Sequence, residues 1–209
     1  NTHIKACELG KSMMKNPVDM EMNPLGGNLD FSWDVSSPVI SGDGNVMVFT
    51  ADRNNRTDLM MVTRSGEEWS RPLAINPQIG LTGNVHPSCL SFDGKELYLI
   101  LDDYYNMDIY VSHFEDGRWS RAGKLNNDIN TRYSESHASL SADGNRLYIS
   151  SDRKGGIGGL DIYVSQRSND GDWGEPVNLG HSVNTYYHED SPFLSNNDTR
   201  LYFLSLIHI

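Results

Sequence analysis

The chain has 209 residues, 37% apolar, 10% aromatic and 22% charged, which excludes a disordered polymer and suffices for one sizeable core. Its 17 basic and 28 acidic residues give a net charge of −11. That balance argues against sequence-independent nucleic-acid binding and against docking on an anionic membrane surface. No apolar run reaches the about 18 residues of a spanning helix, so no membrane insertion of this segment is expected.

Taken in order, Thr2 to Lys15 reads as a short N-terminal helix, capped by Thr2, with Ile4, Cys7, Leu9, Met13 and Met14 as a loose apolar stripe. Asn16-Pro17 ends it, so residues 1–16 form a helical lead-in. The opening Asn1-Thr2-His3, without an initiator methionine, reads as an internal or processed piece. Cys7 and Cys89 fall in different elements, and so few cysteines leave their pairing undecided. Val18 to Asp34 reads as an outer strand and connector, since Met22 to Asn28 compares with Val177 to Asn184.

From there a module repeats. Ser-x-Asp-Gly recurs with Asp43-Gly44, Asp93-Gly94 and Asp143-Gly144, at a spacing of 50 (93−43 and 143−93). Trp69, Trp119 and Trp173 follow at 50 and 54, and Asp58, Asp108 and Asp161 at 50 and 53. Each module holds about four strands of alternating pattern, as in Arg146 to Ser151 and Leu160 to Ser165. Such a period predicts an all-β fold, a β-propeller of about three and a half four-stranded blades and a truncated ring. The repeats occupy 17–203, with blades at about 35–79, 85–129 and 135–183 and a partial copy at 188–203. The pattern breaks at Leu204, so 204–209 reads as an off-pattern tail. Leu97 to Leu101 is apolar on both alternating faces and is expected to be core on both.

Ser37 to Gly44 (S-P-x-x-S-x-D-G), Leu147 to Arg153 (L-Y-I-S-S-D-R), Gly158 to Ser165 and Trp173 to Gly180 (W-x-x-P-x-N-L-G) together carry a family resemblance. The sequence resembles the TolB-type, WD-like propeller repeat, and is similar in particular to repeats of Bacteroidetes envelope proteins. In those proteins the propeller sits between tetratricopeptide helices and an OmpA-like peptidoglycan-binding domain. The resemblance covers Asn16 to Phe203; the second copy departs from it at Leu101-Asp102-Asp103-Tyr104. It implies a periplasmic or outer-membrane-associated location, a protein partner in the envelope, and proximity to glycan or peptidoglycan. It carries over no catalytic residue, so no enzyme is expected.

The shared positions read as structural. Asp accepts backbone N–H bonds and Gly takes the positive φ of a tight turn. One or two oxygens per turn do not make a calcium site. Asp52-Arg53 and Asp152-Arg153 are expected to pair with Asp58 and Asp161 and lock each loop; the second copy has Asp103 in place of the arginine. Gly155 to Gly159 suggests a phosphate loop but joins strand to strand with no following Lys-Ser/Thr, so a long flexible hairpin is expected. His86, His137 and His188, with Glu135, Glu189 and Asp190, fall near the starts of innermost strands and are expected to form a polar ligand-binding rim. None has a second His or Cys at metal-ligand spacing, so neither metal nor cofactor is expected.

No nucleophile elbow and no close Ser/His/Asp set can be located in the sequence. Three functions remain open. The first is non-catalytic binding or scaffolding in a cell envelope; the second is the lid of a hydrolase whose catalytic domain lies elsewhere. The third is a carbohydrate-binding propeller, which requires an exposed tryptophan row.

Overall fold

A computed structural model describes residues 11, 15, 24–30, 32–53 and 56–205. The helical lead-in expected over 1–16 lies outside these residues, apart from Lys11 and Lys15. The described chain forms successive antiparallel sheets arranged as an arc of a β-propeller. Blade 1 comprises β1 (Asp34–Ile40), β2 (Val46–Arg53), β3 (Arg56–Ser65), β4 (Glu68–Trp69) and β5 (Leu73–Ala74). Blade 2 comprises β6 (Asn84–Leu90), β7 (Glu96–Asp102), β8 (Met107–Glu115), β9 (Arg118–Trp119) and β10 (Gly123–Lys124). Blade 3 comprises β11 (Glu135–Leu140), β12 (Arg146–Ser151), β13 (Asp161–Gln166) and β14 (Val177–Asn178). β15 (Glu189–Leu194) and β16 (Leu201–Ser205) begin a fourth. The outer edge of blade 1 is two short pairings on β3, because the chain leaves the ladder between Trp69 and Leu73. A single helical turn, α1 (Asn76–Ile79), with Pro77 near its start, occupies the connector to blade 2.

The period of two places the core between blades. On β7, Leu97 and Leu99 face blade 1 and pack with Val48, Leu59, Met61 and Ile79. Tyr98 and Ile100 face blade 3 and pack with Leu140, Leu147 and Ile149. Leu97, Tyr98, Leu99 and Ile100 are all buried, so this strand is core on both faces.

Each Ser-x-Asp-Gly turn is a small machine for reversing the chain. Ser41 Oγ accepts from Val46 N (2.9 Å) and donates to Asp43 Oδ1 (2.6 Å), which also accepts from Asn45 N (3.0 Å). Gly44 sits at φ 75°, where a side chain is strained. Ser91-Asp93 and Ser141-Asp143 repeat these bonds. In the fourth copy Asn197 replaces the aspartate and Asp198 takes the left-handed position at φ 56°. The Asp198 carboxylate compensates by accepting from Ala142 N (3.0 Å) and Arg146 (3.0 Å), tying this turn to blade 3.

β16 runs on through Leu204 and Ser205, and the rest of the tail expected over 204–209 lies outside the described residues. Ser205 Oγ donates to Glu189 (2.7 Å) as Ser151 Oγ donates to Glu135 (2.8 Å), so Ser205 keeps the repeat's bond after the apolar pattern has lapsed.

Candidate functional site: the channel and its polar mouth

The innermost strands β1, β6, β11 and β15 neighbour one another and surround a central cavity of about 260 Å³. Its wall mixes apolar side chains, Pro38, Val39, Leu90, Leu140, Pro192 and Phe193 among them, with serines and His137. The Ser-x-Asp-Gly turns cap one end. At the other end lie the positions five residues upstream of each turn serine (41−36, 91−86, 141−136 and 195−190): Ser36, His86, Ser136 and Asp190. Blades 1 and 3 place a serine there, blade 2 a histidine and the fourth copy an aspartate.

β11 and β15 bring together a group there that sequence spacing did not reveal. His137 Nδ1 and Ser136 Oγ lie 2.9 and 2.8 Å from Asp190 Oδ1, and Ser191 N donates to the same oxygen at 2.7 Å. Ser191 Oγ stands 3.4 Å from His137 Nε2. Burial pulls the Asp190 carboxyl upward, but the hydrogen bonds from His137, Ser136 and Ser191 N outweigh it and hold it well below the ordinary range. Ser191 has φ 54°, and Ser37, its counterpart in blade 1, has φ 50°; a proline follows each. The expectation that no Ser/His/Asp set exists is therefore corrected: Ser191, His137 and Asp190 form one. Its chemistry is incomplete for acyl transfer. The Ser191 N–H is already given to Asp190, and Pro192 has no N–H, so neither can stabilise an oxyanion there.

The other expected rim residues divide. His86 lies with His137, Ser136 and Asp102 around a depression that adjoins the cavity through Pro38, Val39, Ser88 and His137. His86 Nδ1 is buried there without a hydrogen-bond partner. Glu135, Glu189 and His188 are not rim groups, and this corrects the expectation. Glu135 is fully buried and accepts from Thr131 N, Thr131 Oγ1, Ser151 Oγ and Arg153. Burial raises its pKa despite these donors. Glu189 repeats the arrangement with Thr185 and Ser205. His188 Nδ1 accepts from Leu160 N (3.1 Å) and secures the glycine loop.

That loop is clamped rather than free. A Cβ at Gly158 would collide with the Thr185 and Tyr187 carbonyl oxygens, and one at Gly159 with the His188 ring. Ile157 N and Gly158 N donate to Asp161, so the chain's own carboxylate fills the place an anion would take. The aspartate–arginine pairing holds only in blade 1, where Arg53 meets Asp58 at 2.6 Å. In blade 2 Asp108 pairs with Lys124 at 2.6 Å. In blade 3 Arg153 turns to Glu135 and the Asp128 and Ile129 carbonyls, because the loop N–H groups already occupy Asp161.

The tryptophans are not a stacking row. Trp69, Trp119 and Trp173 are 8%, 3% and 4% exposed, inside the apolar clusters, where Trp119 Nε1 meets Met61 Sδ at 3.1 Å. Connector amides then pin the blades: Asn28 Nδ2 donates to the Trp69 carbonyl (2.8 Å) and Asn126 Nδ2 to that of Trp173 (2.6 Å). Trp119 N donates to Gln78 Oε1 at 2.7 Å. Residues 24–30 thus stand against blade 1 as the connector of a preceding blade would. Between blades 2 and 3, Arg167 forks onto Glu96 (3.0 and 2.6 Å) and lies over the Trp173 ring at 4.6 Å.

Cys89 carries a free thiol, pushed by burial up to about 12; Cys7 lies outside the described residues. Among the described residues no three His, Cys, Asp or Glu are placed to hold a metal ion, and no helix is long and apolar enough to cross a membrane.

The fold these blades define is the β-propeller, and its solved neighbours include TolB. TolB from Acinetobacter baumannii superposes with a TM-score of 0.52 at 20% identity, over 81% of this chain and 40% of that one. A Mycobacterium tuberculosis puromycin-hydrolyzing peptidase matches with a TM-score of 0.52 at 17% identity, over 82% and 25%. The periplasmic gluconolactonase PpgL of Pseudomonas aeruginosa matches with a TM-score of 0.50 at 11% identity, over 79% and 49%. The chain spans less than half the length of each of these three proteins. No family model and no curated protein matches the sequence.

Proposed function

We propose that the chain is a non-catalytic binding propeller of a bacterial cell envelope, holding a protein partner at the His137 end of its channel. The observation that carries this reading is the contrast within the inner strands: one end repeats the same turn residues, and the other gathers His137, Ser136, Asp190 and Ser191 beside a part-apolar cavity. Pockets that bind commonly pair apolar walls with a few convergent polar groups. The lack of oxyanion donors beside Ser191 supports binding over turnover. The resemblance of the repeats to envelope propellers supports a periplasmic or outer-membrane-associated address, close to peptidoglycan.

The test places a photo-crosslinking residue at Ser37, on the mouth depression, and exposes the chain to envelope extract. One discrete protein adduct, absent when Ser136 is replaced by Trp and absent with the crosslinker moved to exposed Glu68, is expected. Identical adducts from both positions, or His137-dependent turnover of an ester or amide, would overturn the reading. A hydrolase lid is the second reading, favoured by the likeness to the puromycin-hydrolyzing peptidase, of whose chain only 25% is covered. It requires a catalytic domain elsewhere in the same reading frame. Burial of the tryptophans removes the stacking surface on which the carbohydrate reading depended.

A further inference from the structure

Large apolar side chains stand exposed on the cavity wall. Ile40, Phe92 and Phe193 line it while remaining 49%, 45% and 55% exposed. Pro38 and Pro192 add flat, rigid faces. Most serine hydroxyls of the wall are already spent. Ser88 Oγ exchanges bonds with Ala138 N (2.7 Å) and O (3.0 Å), Ser139 Oγ accepts from Leu194 N (3.0 Å), and Ser141 Oγ donates to Asp143 (2.5 Å).

At the mouth, His137 and Ser191 are held differently. A carboxylate can only accept, so Asp190 draws the Nδ1 proton of His137, and in the neutral form of the ring that tautomer leaves Nε2 as an acceptor. The 3.4 Å separation from Ser191 Oγ is too long to satisfy either group fully. A ligand hydroxyl set beside the pair can donate to His137 Nε2 and accept from Ser191 Oγ, while an indole N–H donates to Nε2 alone. The cavity of about 260 Å³ is larger than the about 150 Å³ that suffices for a benzene ring.

From this geometry we infer that the channel takes an aromatic ring bearing one O–H or N–H donor, a phenol or an indole, with the ring against Pro38, Pro192 and Phe193 at the mouth end and the donor on His137 Nε2. The inference rests on the binding reading above and names the chemical class that reading leaves open. The donor comes either from a tyrosine or tryptophan side chain of the partner or from a free aromatic molecule.

Ligand-observed NMR titration of the purified chain with p-cresol, 3-methylindole and toluene tests it without any envelope extract, so its failure leaves the crosslinking result standing. Saturable binding of p-cresol or 3-methylindole, about tenfold tighter than toluene, is expected. His137→Leu should erase that preference while toluene still binds, and Phe193→Ser should weaken all three probes. Ser191→Ala removes only one long contact and serves if His137→Leu does not fold. Tighter binding of N-acetyltyrosinamide than of p-cresol would assign the donor to a partner's side chain, and the reverse to a free molecule. Absence of saturable binding, equal affinity for toluene and p-cresol, or a preference unchanged in both His137→Leu and Ser191→Ala would overturn the inference.

Discussion

The two ends of the inner strands obey different rules. At the turn end, serine, aspartate and glycine recur in three blades and make the same bonds in each. At the mouth the equivalent positions hold Ser36, His86, Ser136 and Asp190, so blades 1 and 3 share a serine while blade 2 and the fourth copy depart from it. A backbone reversal has one good solution, so its residues repeat. A binding surface has to be asymmetric to grip an asymmetric partner. Substitutions should accordingly separate into those that cost stability and those that cost binding.

The largest stability losses should come from the blade interfaces. Trp119→Ala should cost about 3–5 kcal/mol, since it empties the layer between blades 1 and 2. Glu135→Ala should cost a comparable amount, about 3–5 kcal/mol, by leaving Arg153 part-buried with its carboxylate removed. Equilibrium urea unfolding measures both. Gly158→Ala comes next, at about 1–3 kcal/mol, because the Thr185 and Tyr187 carbonyls that crowd it are backbone and cannot swing away. A flexible loop would show no change.

Acid should then weaken the whole arc. Asp43 and Asp143 are held below the usual carboxyl range chiefly by their turn serines. Asp58 is lowered by Arg53 and Arg56 against the opposing effect of burial. A depressed carboxyl contributes stability above its unfolded pKa, about 3.9 for aspartate, and that stability is lost as the pH falls through the folded value. Glu135 works in the opposite sense, because its raised pKa lets the folded state take up a proton first. The lowered groups outnumber it, so the urea midpoint should drop between pH 7 and pH 3. A midpoint that rose would contradict this. The smallest effect on stability is expected at the mouth, where Ser191→Ala should stay within about 0.5 kcal/mol of the parent chain.

The fold was legible because its hardware keeps time: turn, aspartate and tryptophan recur at nearly constant spacing. The asparagines that staple each blade were not. Asn76, Asn130 and Asn184 accept from Leu59, Ile109 and Ile162 N, yet the separations are 17, 21 and 22 residues. Connectors of different length hide an identical bond. The buried glutamates escaped for another reason: strand-start position suggests a rim, but the Thr131 and Thr185 hydroxyls four residues upstream draw Glu135 and Glu189 inward. The mouth group was invisible because His137 and Ser191, 54 residues apart, belong to different blades, and only the packing of β15 on β11 joins them.

The separation of stability from binding is tested most directly by measuring the urea midpoint and the p-cresol dissociation constant together for Trp119→Ala and His137→Leu. Trp119→Ala should lower the midpoint sharply and leave the affinity of the folded fraction intact, while His137→Leu, which costs only the Asp190 bond, should lower the midpoint less and weaken p-cresol about tenfold. Loss of affinity in Trp119→Ala at temperatures where it remains folded, with His137→Leu binding as the parent does, would contradict the account.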